Sequence, residues 1–118
     1  MSVGIDIVEV ERIAKSLGRG KFLERIYTVR EREYLAAKKY NPQSAAGLFA
    51  AKEAFSKAMG TGMRGFSFSD IEVLHTEAGA PYLRLYGGAL KAAGEMVLSL
   101  SISHTDRYAA AVVDVKEP

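Results

Sequence analysis

No segment of this chain leaves the fold less freedom than Ser44 to Gly62, which reads SAAGLFAAKEAFSKAMGTG. It is rich in alanine and free of proline, so helix propensity is high, and Gly60-Thr61-Gly62 supplies a C-terminal stop. On a helical wheel Leu48, Ala51, Phe55, Ala58 and Met59 fall on one side, the pattern of a core-facing stripe. Glu53 and Lys57 fall together on another side, one turn apart, with Phe49 beside them. A surface pair of this kind stabilises a helix by about 0.2–0.5 kcal/mol and need do nothing else. Two features point further. Ala50 and Ala54 flank the pair with side chains small enough for another backbone to approach closely, and both ends of the chain offer matching chemistry.

At the N-terminal end, Ser2 to Ile7 alternates as in a half-buried strand, with Val3, Ile5 and Ile7 on one face and Gly4 and Asp6 on the other. Asp is depleted in strands. Asp6 is therefore either a solvent-facing or helix-capping residue, or a carboxylate held rigidly at a strand end, as metal ligands often are. Glu9 to Leu17 reads as a short helix with Val10, Ile13 and Leu17 inward. Its other side carries Arg12, Lys15 and Arg19, continued by Lys21 and Arg25 across a Gly18-Arg19-Gly20 break. Such a run is ordinarily a solvated face, diluted here by Glu9, Glu11 and Glu24, but it also suits an acidic partner surface steered in by charge. Lys21 to Tyr27 is a helical turn or two. Thr28 with Glu31 forms a capping-box signature for a helix running to about Tyr40. Asn41-Pro42 ends that helix, and Ser44 can cap the next one.

Beyond Gly62 lies a Gly/Ser loop, Met63 to Ser69, with Arg64 as its basic group. Asp70 to Thr76 and Tyr82 to Tyr86 read as an antiparallel pair joined by a turn, with His75 an exposed loop residue beside it. Gly87-Gly88 leads into a short helix, Ala89 to Glu95. In the last third, Leu98, Leu100 and Ile102 alternate with Ser99, Ser101 and Ser103. His104 then falls at a strand end, where a hairpin turns the chain into Tyr108 to Val115. A histidine in a turn is more often structural. The serine face read as lying beside it suggests a ligand.

Composition removes several classes. At 118 residues the chain is expected to be one domain, residues 1–118, with a core that needs no staples. It has no cysteine, which excludes disulfides and thiolate metal sites and fits a reducing compartment. A net charge of +2 is too weak to argue nucleic acid as partner. No apolar run approaches a membrane span, and the N-terminus lacks the layout of a signal peptide, so the expected address is the cytoplasm. With two His and no Cys, a metal site must lean on carboxylates, which favours Mg²⁺. Asp6, Glu53, Lys57 and His104, with backbone N–H groups of Gly60-Thr61-Gly62 free of obstructing side chains, then suggest Mg²⁺-dependent transfer or hydrolysis at a phosphate. Neither a Walker A loop nor a GxGxxG fingerprint is present.

Three blocks of sequence sharpen this. Gly4-Ile5-Asp6-Ile7 with Glu9 and Arg12, the stretch Phe49-Ala50-Ala51-Lys52-Glu53-Ala54-Phe55-Ser56-Lys57-Ala58 with Gly60-Thr61-Gly62, and Ser101-Ile102-Ser103-His104 closely resemble the holo-[acyl-carrier-protein] synthase family, the small bacterial 4′-phosphopantetheinyl transferases. The resemblance covers essentially the whole chain in order. It implies an α+β fold, the 4′-phosphopantetheinyl transferase fold, with an antiparallel sheet on a long central helix, assembling as a homotrimer with sites at subunit interfaces. The implied reaction moves the phosphopantetheine arm of coenzyme A to a serine of an apo acyl carrier protein, releases adenosine 3′,5′-bisphosphate, and belongs to fatty acid biosynthesis and lipid metabolism.

Carried over residue by residue, Asp6 and Glu53 would hold Mg²⁺, and Glu53 would take the proton from the attacking serine, directly or through water. Lys57 would contact the pyrophosphate and protonate the leaving group, His104 would bind a phosphate of coenzyme A, and Arg12, Lys15 and Arg19 would dock the acidic carrier.

One departure stands out. Many family members have arginine at the position of Leu48, in the pattern G-R-F-A-A-K-E, and that arginine is associated with coenzyme A binding. Lys38, Lys39 and Arg64 are the candidates to replace it, and weaker affinity for coenzyme A is expected. Two rival readings remain: a non-catalytic module that binds acyl carrier proteins through its basic helix, and a Mg²⁺-dependent nucleotide hydrolase.

Overall fold

Gly4 shows how closely the first strand and the alanine-rich helix pack. In the computed structural model, which describes residues 2–118, a Cβ at Gly4 would run into the carbonyl oxygen of Ala54 and the amide nitrogen of Ala58. Strand β1 (Ser2–Glu9) therefore lies backbone to backbone on helix α4 (Pro42–Ala58), a contact that only glycine permits. Between them come α1 (Val10–Leu17), α2 (Phe22–Ile26) and α3 (Val29–Ala37). After α4 follow a 3₁₀ turn (Phe68–Asp70), β2 (Ile71–His75), β3 (Pro81–Leu85), α5 (Gly87–Ala93), β4 (Val97–His104) and β5 (Tyr108–Lys116).

The fold is α+β with two antiparallel sheets, one of three strands in the order β1-β5-β4 and one formed by β2 and β3. Helix α4 packs on the three-stranded sheet and is buried almost all round, because its alanines let strands approach on several sides. Thr28 caps α3 in a reciprocal box with Glu31 as the sequence predicts. That helix stops at Ala37, short of Tyr40, because Lys39 and Tyr40 take left-handed backbone at φ 56° and 54° and reverse the chain. The cap of α4 is Asn41, whose side chain accepts from the backbone N–H groups of Gln43 and Ser44, with Pro42 in the first turn. Ser44 is thus capped by Asn41 and is not itself the cap.

Two sequence readings of sheet faces are corrected. The alternation in β1 is real, but the face turned to α4 carries Gly4, Asp6 and Val8, while Val3, Ile5 and Ile7 are 63%, 61% and 66% exposed. Periodicity reveals two faces without saying which one is covered, and the Gly4–Ala54 approach decides it. The register places Ile5 and Ile7 opposite Val112 and Ala110, which in turn sit opposite Ser101 and Ser103. The serines therefore share the outer face with Val3, Ile5 and Ile7. His104 has the opposite parity, with Leu98, Leu100 and Ile102, so the serines do not line its surroundings.

The FAAKEAFSKA block contains a second lysine, Lys52, which is completely buried. Its ammonium donates to the Ile26 carbonyl at 2.6 Å, to Glu31 Oε1 at 2.6 Å and to the Phe68 carbonyl at 3.0 Å, so all three donors are used. Glu31 also accepts from the Thr28 and Val73 amides. Burial pushes the Glu31 carboxyl up and the Lys52 ammonium down, and their mutual attraction opposes both shifts. Glu72 completes the cluster by accepting from the hydroxyls of Thr28 and Tyr86. One polar network thus ties α2, α3, α4 and the β2–β3 sheet together.

Candidate active site

Because Gly4 seats β1 against α4, Asp6 comes to lie over the next turn of the helix. Lys57 Nζ donates to Asp6 Oδ1 at 3.0 Å and to the carbonyl oxygen of Ile5 at 3.0 Å. The Lys57 side chain is 53% exposed and that of Asp6 only 14%, so the ammonium faces solvent while the carboxylate is largely covered. Lys57 thus reaches across to β1 for its ion pair, rather than back one turn to Glu53.

Glu53 is half-buried, and burial together with the neighbouring Asp6 carboxylate pushes its carboxyl above the ordinary glutamate range. Lys57 and Arg12 pull the other way without cancelling the rise. Two carboxylates and two cations therefore share one field. Arg12 is held nearby by its guanidinium, 5.9 Å from the centre of the Phe49 ring. Phe49 itself stacks on Phe68 at 5.5 Å and on Phe22 at 6.3 Å. Its packing is internal, beneath Arg12.

Asp6 and Glu53 fit a hard divalent cation such as Mg²⁺. They are all-oxygen ligands at a solvent-open edge, and their like-charge repulsion would be relieved by a cation between them. Among the described residues no group of three or more His, Cys, Asp or Glu could hold a metal ion.

The end of α4 places the glycine segment, and the outer side of α1 the basic residues. Gly60 and Gly62 take positive φ at 76° and 62°, and their N–H groups donate to the carbonyls of Lys57 and Ser56. Those two amides close helix α4, so they are not the free phosphate donors the sequence suggests. The Thr61 hydroxyl donates to the carbonyl of Gly62. Arg12, Lys15 and Arg19 line one concavity with Glu9, Glu11 and Ser16, and Lys15 pairs with Glu11 at 3.6 Å.

His104 lies at the other end of α4. It lines a cavity of about 310 Å³ with Tyr34, Lys38, Gln43, Ser44, Gly47, Leu48, His75 and the β2–β3 turn. Glu53 lies about 9 Å beyond Gly47 along the helix axis at the usual rise. Within one chain, then, Asp6, Glu53, Lys57 and Arg12 gather at one place and His104 belongs to another.

His75, read from sequence as an exposed loop residue, lines that same cavity. Its ring stacks on Tyr34 with centroids 4.4 Å apart, and Lys38 Nζ stands 5.2 Å from the Tyr34 ring centre. Burial and then the Lys38 charge hold the His75 imidazole below the usual histidine range. The signal in the sequence was its position one residue before a tight turn, which brings β2 to the start of α4.

The chain matches the family model of the 4′-phosphopantetheinyl transferase superfamily over residues 2–113. It is 53% identical over 114 residues to the holo-[acyl-carrier-protein] synthase of Caldanaerobacter subterraneus, an alignment spanning 93% of this chain and 90% of that one. Among solved structures it is similar to the holo-(acyl-carrier-protein) synthase of Bacillus anthracis in complex with CoA (3′,5′-ADP), with a TM-score of 0.86, 41% identity and coverage of 99% and 96%. It is also similar to the Helicobacter pylori holo-[acyl-carrier-protein] synthase in complex with coenzyme A, with a TM-score of 0.86, 39% identity and coverage of 97% and 99%. The chain belongs to the holo-[acyl-carrier-protein] synthase family of the 4′-phosphopantetheinyl transferase superfamily, a family of transferase enzymes.

Proposed function

We propose that this protein transfers the 4′-phosphopantetheine group of coenzyme A to a serine of an apo acyl carrier protein, in a Mg²⁺-dependent reaction that releases adenosine 3′,5′-bisphosphate. The observation that carries this reading is the convergence of Asp6, Glu53 and Lys57 at one open edge of the β1–α4 contact. When bound there, Mg²⁺ supplies Lewis-acid polarisation and charge neutralisation at the pyrophosphate. Asp6 and Glu53 would hold it. Glu53 accepts the proton of the attacking serine hydroxyl, directly or through water. Lys57, on a flexible stem at the solvent edge, donates to the pyrophosphate and returns a proton to the departing phosphate. A non-catalytic carrier-binding module would leave this cluster without a task.

His104 and the cavity around it suit a phosphate of coenzyme A. Leu48 occupies that cavity where many relatives carry arginine, and Lys38 is the cation that shares it. We assign Lys38, rather than Arg64 or Lys39, the replacement role. The basic face of Arg12, Lys15 and Arg19 docks the acidic carrier.

The separation of His104 from Asp6 within one chain, and the exposed Val3, Ile5 and Ile7, both support a homotrimer with sites between subunits. One copy would supply the Asp6–Glu53–Lys57 edge, and its neighbour the His104 cavity. Sedimentation of the purified protein gives a trimer mass on this reading, and Ile5→Asp on the exposed face gives monomers. A monomeric wild type would remove the assembly from the proposal. The reaction itself is tested by incubating the protein with Mg²⁺, coenzyme A and apo acyl carrier protein and weighing the carrier intact. Gain of one phosphopantetheinyl group is expected, and no gain with any carrier offered would end the assignment.

A further inference from the structure

Resting on the proposed Mg²⁺ site, we infer that Lys57 is the built-in counter-ion of Asp6, that it competes with the divalent cation for that carboxylate, and that it reaches the pyrophosphate only once the cation has replaced it. Lys57 is anchored twice on β1, at Asp6 Oδ1 and at the Ile5 carbonyl, both at 3.0 Å. Neither anchor is a phosphate-binding geometry. Both hold the ammonium against the carboxylate that the metal must use.

A cation held by Asp6 would have to share that carboxylate with the ammonium already on its Oδ1 at 3.0 Å, and like charges brought to one carboxylate repel. Arg12 is held over the Phe49 ring and has no bond to either carboxylate among the described residues. Lys57 is the cation free to leave. Its side chain is half exposed, and its unbranched, flexible stem lets the ammonium reach solvent once its two bonds on β1 are released.

This arrangement orders the events. Without the cation, Lys57 stabilises a preformed, neutralised pair of acids. With it, the same charge is released towards incoming phosphate oxygens, so the general acid is delivered to substrate only in a metal-loaded site.

The test is Mn²⁺ binding to the full-length protein without coenzyme A at pH 8, followed by loss of the free-ion electron paramagnetic resonance signal. Lys57→Met, which keeps the stem and removes the charge, should bind Mn²⁺ roughly tenfold more tightly than wild type. Lys57→Arg, which keeps the charge, should bind as wild type does. Adding Asp6→Asn to Lys57→Met should abolish the gain. If Lys57→Met binds no more tightly than wild type while Asp6→Asn and Glu53→Gln still weaken binding, the metal site stands and the competition is overturned. If Asp6→Asn and Glu53→Gln leave Mn²⁺ affinity unchanged, both the metal site and the competition fail. Far-ultraviolet circular dichroism confirms that the compared variants are folded.

Discussion

Lys52 and Lys57 lie five positions apart on one helix and each pairs with a carboxylate from another element, yet the two pairs do opposite things. Lys52 is wholly buried, its three donors all engaged by Ile26, Glu31 and Phe68. Lys57 is half exposed and shares its carboxylate's field with a second acid whose pKa is raised. The first pair cannot move without leaving an uncompensated charge in the core. The second is open to water, which can solvate either charge, and Lys57 offsets the rise in the Glu53 pKa. Identical side chains become a buried structural joint in one place and a solvent-facing charge in the other. Solvent access and the number of fixed acceptors make the difference.

The largest effects should come from the acids at the open pair. Glu53→Gln is expected to lower turnover roughly 10²–10⁴-fold, the usual contribution of a positioned base, and Asp6→Asn to lower it comparably. Neither should unfold the protein. Holo-carrier formation by intact mass against time measures this. Near-normal turnover of either variant at saturating Mg²⁺ would erase the distinction between the two lysine regions.

The reverse pattern is expected at the buried pair. Lys52→Met strands the Glu31 carboxylate in the core and should cost about 3–5 kcal/mol of folding stability. Lys57→Met should cost less than about 1 kcal/mol, as exposed pairs do. Urea denaturation of the two variants side by side reads the contrast. A Lys52→Met variant as stable as Lys57→Met would mean that burial does not set the role of these lysines.

A smaller effect concerns Arg12. It stands over Phe49 and lines one concavity with Lys15 and Arg19. Arg12→Glu should raise the KM for carrier about tenfold, in line with the loss of a charge contact, and raise that for coenzyme A less. Equal changes in both would place Arg12 at the acid pair alone.

Much of this was legible in the sequence, and the rest was hidden for definable reasons. The capping box at Thr28 and Glu31, the β2–β3 pair and the final hairpin follow from local chemistry, and the structure has them. That another backbone could approach at Ala54 was legible there, but not that Gly4 of β1 would be the one to do so. What was missed depends on tertiary choice. A lysine in a helix reads as exposed, and only Glu31, committed to a cap and to Val73, creates the buried acceptor that draws Lys52 inward. The outward turn of Val3, Ile5 and Ile7 follows from packing that alternation cannot encode. The parity of His104, by contrast, was available. Counting from Leu98 puts it on the leucine face, away from the serines.

The smallest expected effect separates the two regions by pH. A carboxyl whose pKa is higher in the folded state holds more protons there than in the unfolded chain, so its contribution to stability is present below the ordinary glutamate value and is lost as pH rises through the folded value. For Glu53 the first cause of the rise is burial and the second is Asp6. In metal-free buffer, wild type should therefore lose stability relative to Glu53→Gln as the pH climbs through that window, then run parallel to it. Asp6→Asn should shrink the drift by removing the like charge, and Lys57→Met should enlarge it by removing the nearest offsetting one. The measurement is the difference in denaturation free energy between each variant and its Glu53→Gln counterpart across pH. A drift of the same size in Asp6→Asn and Lys57→Met as in wild type would mean that Asp6 and Lys57 do not act on Glu53. The open pair would then be, like the buried one, a structural contact.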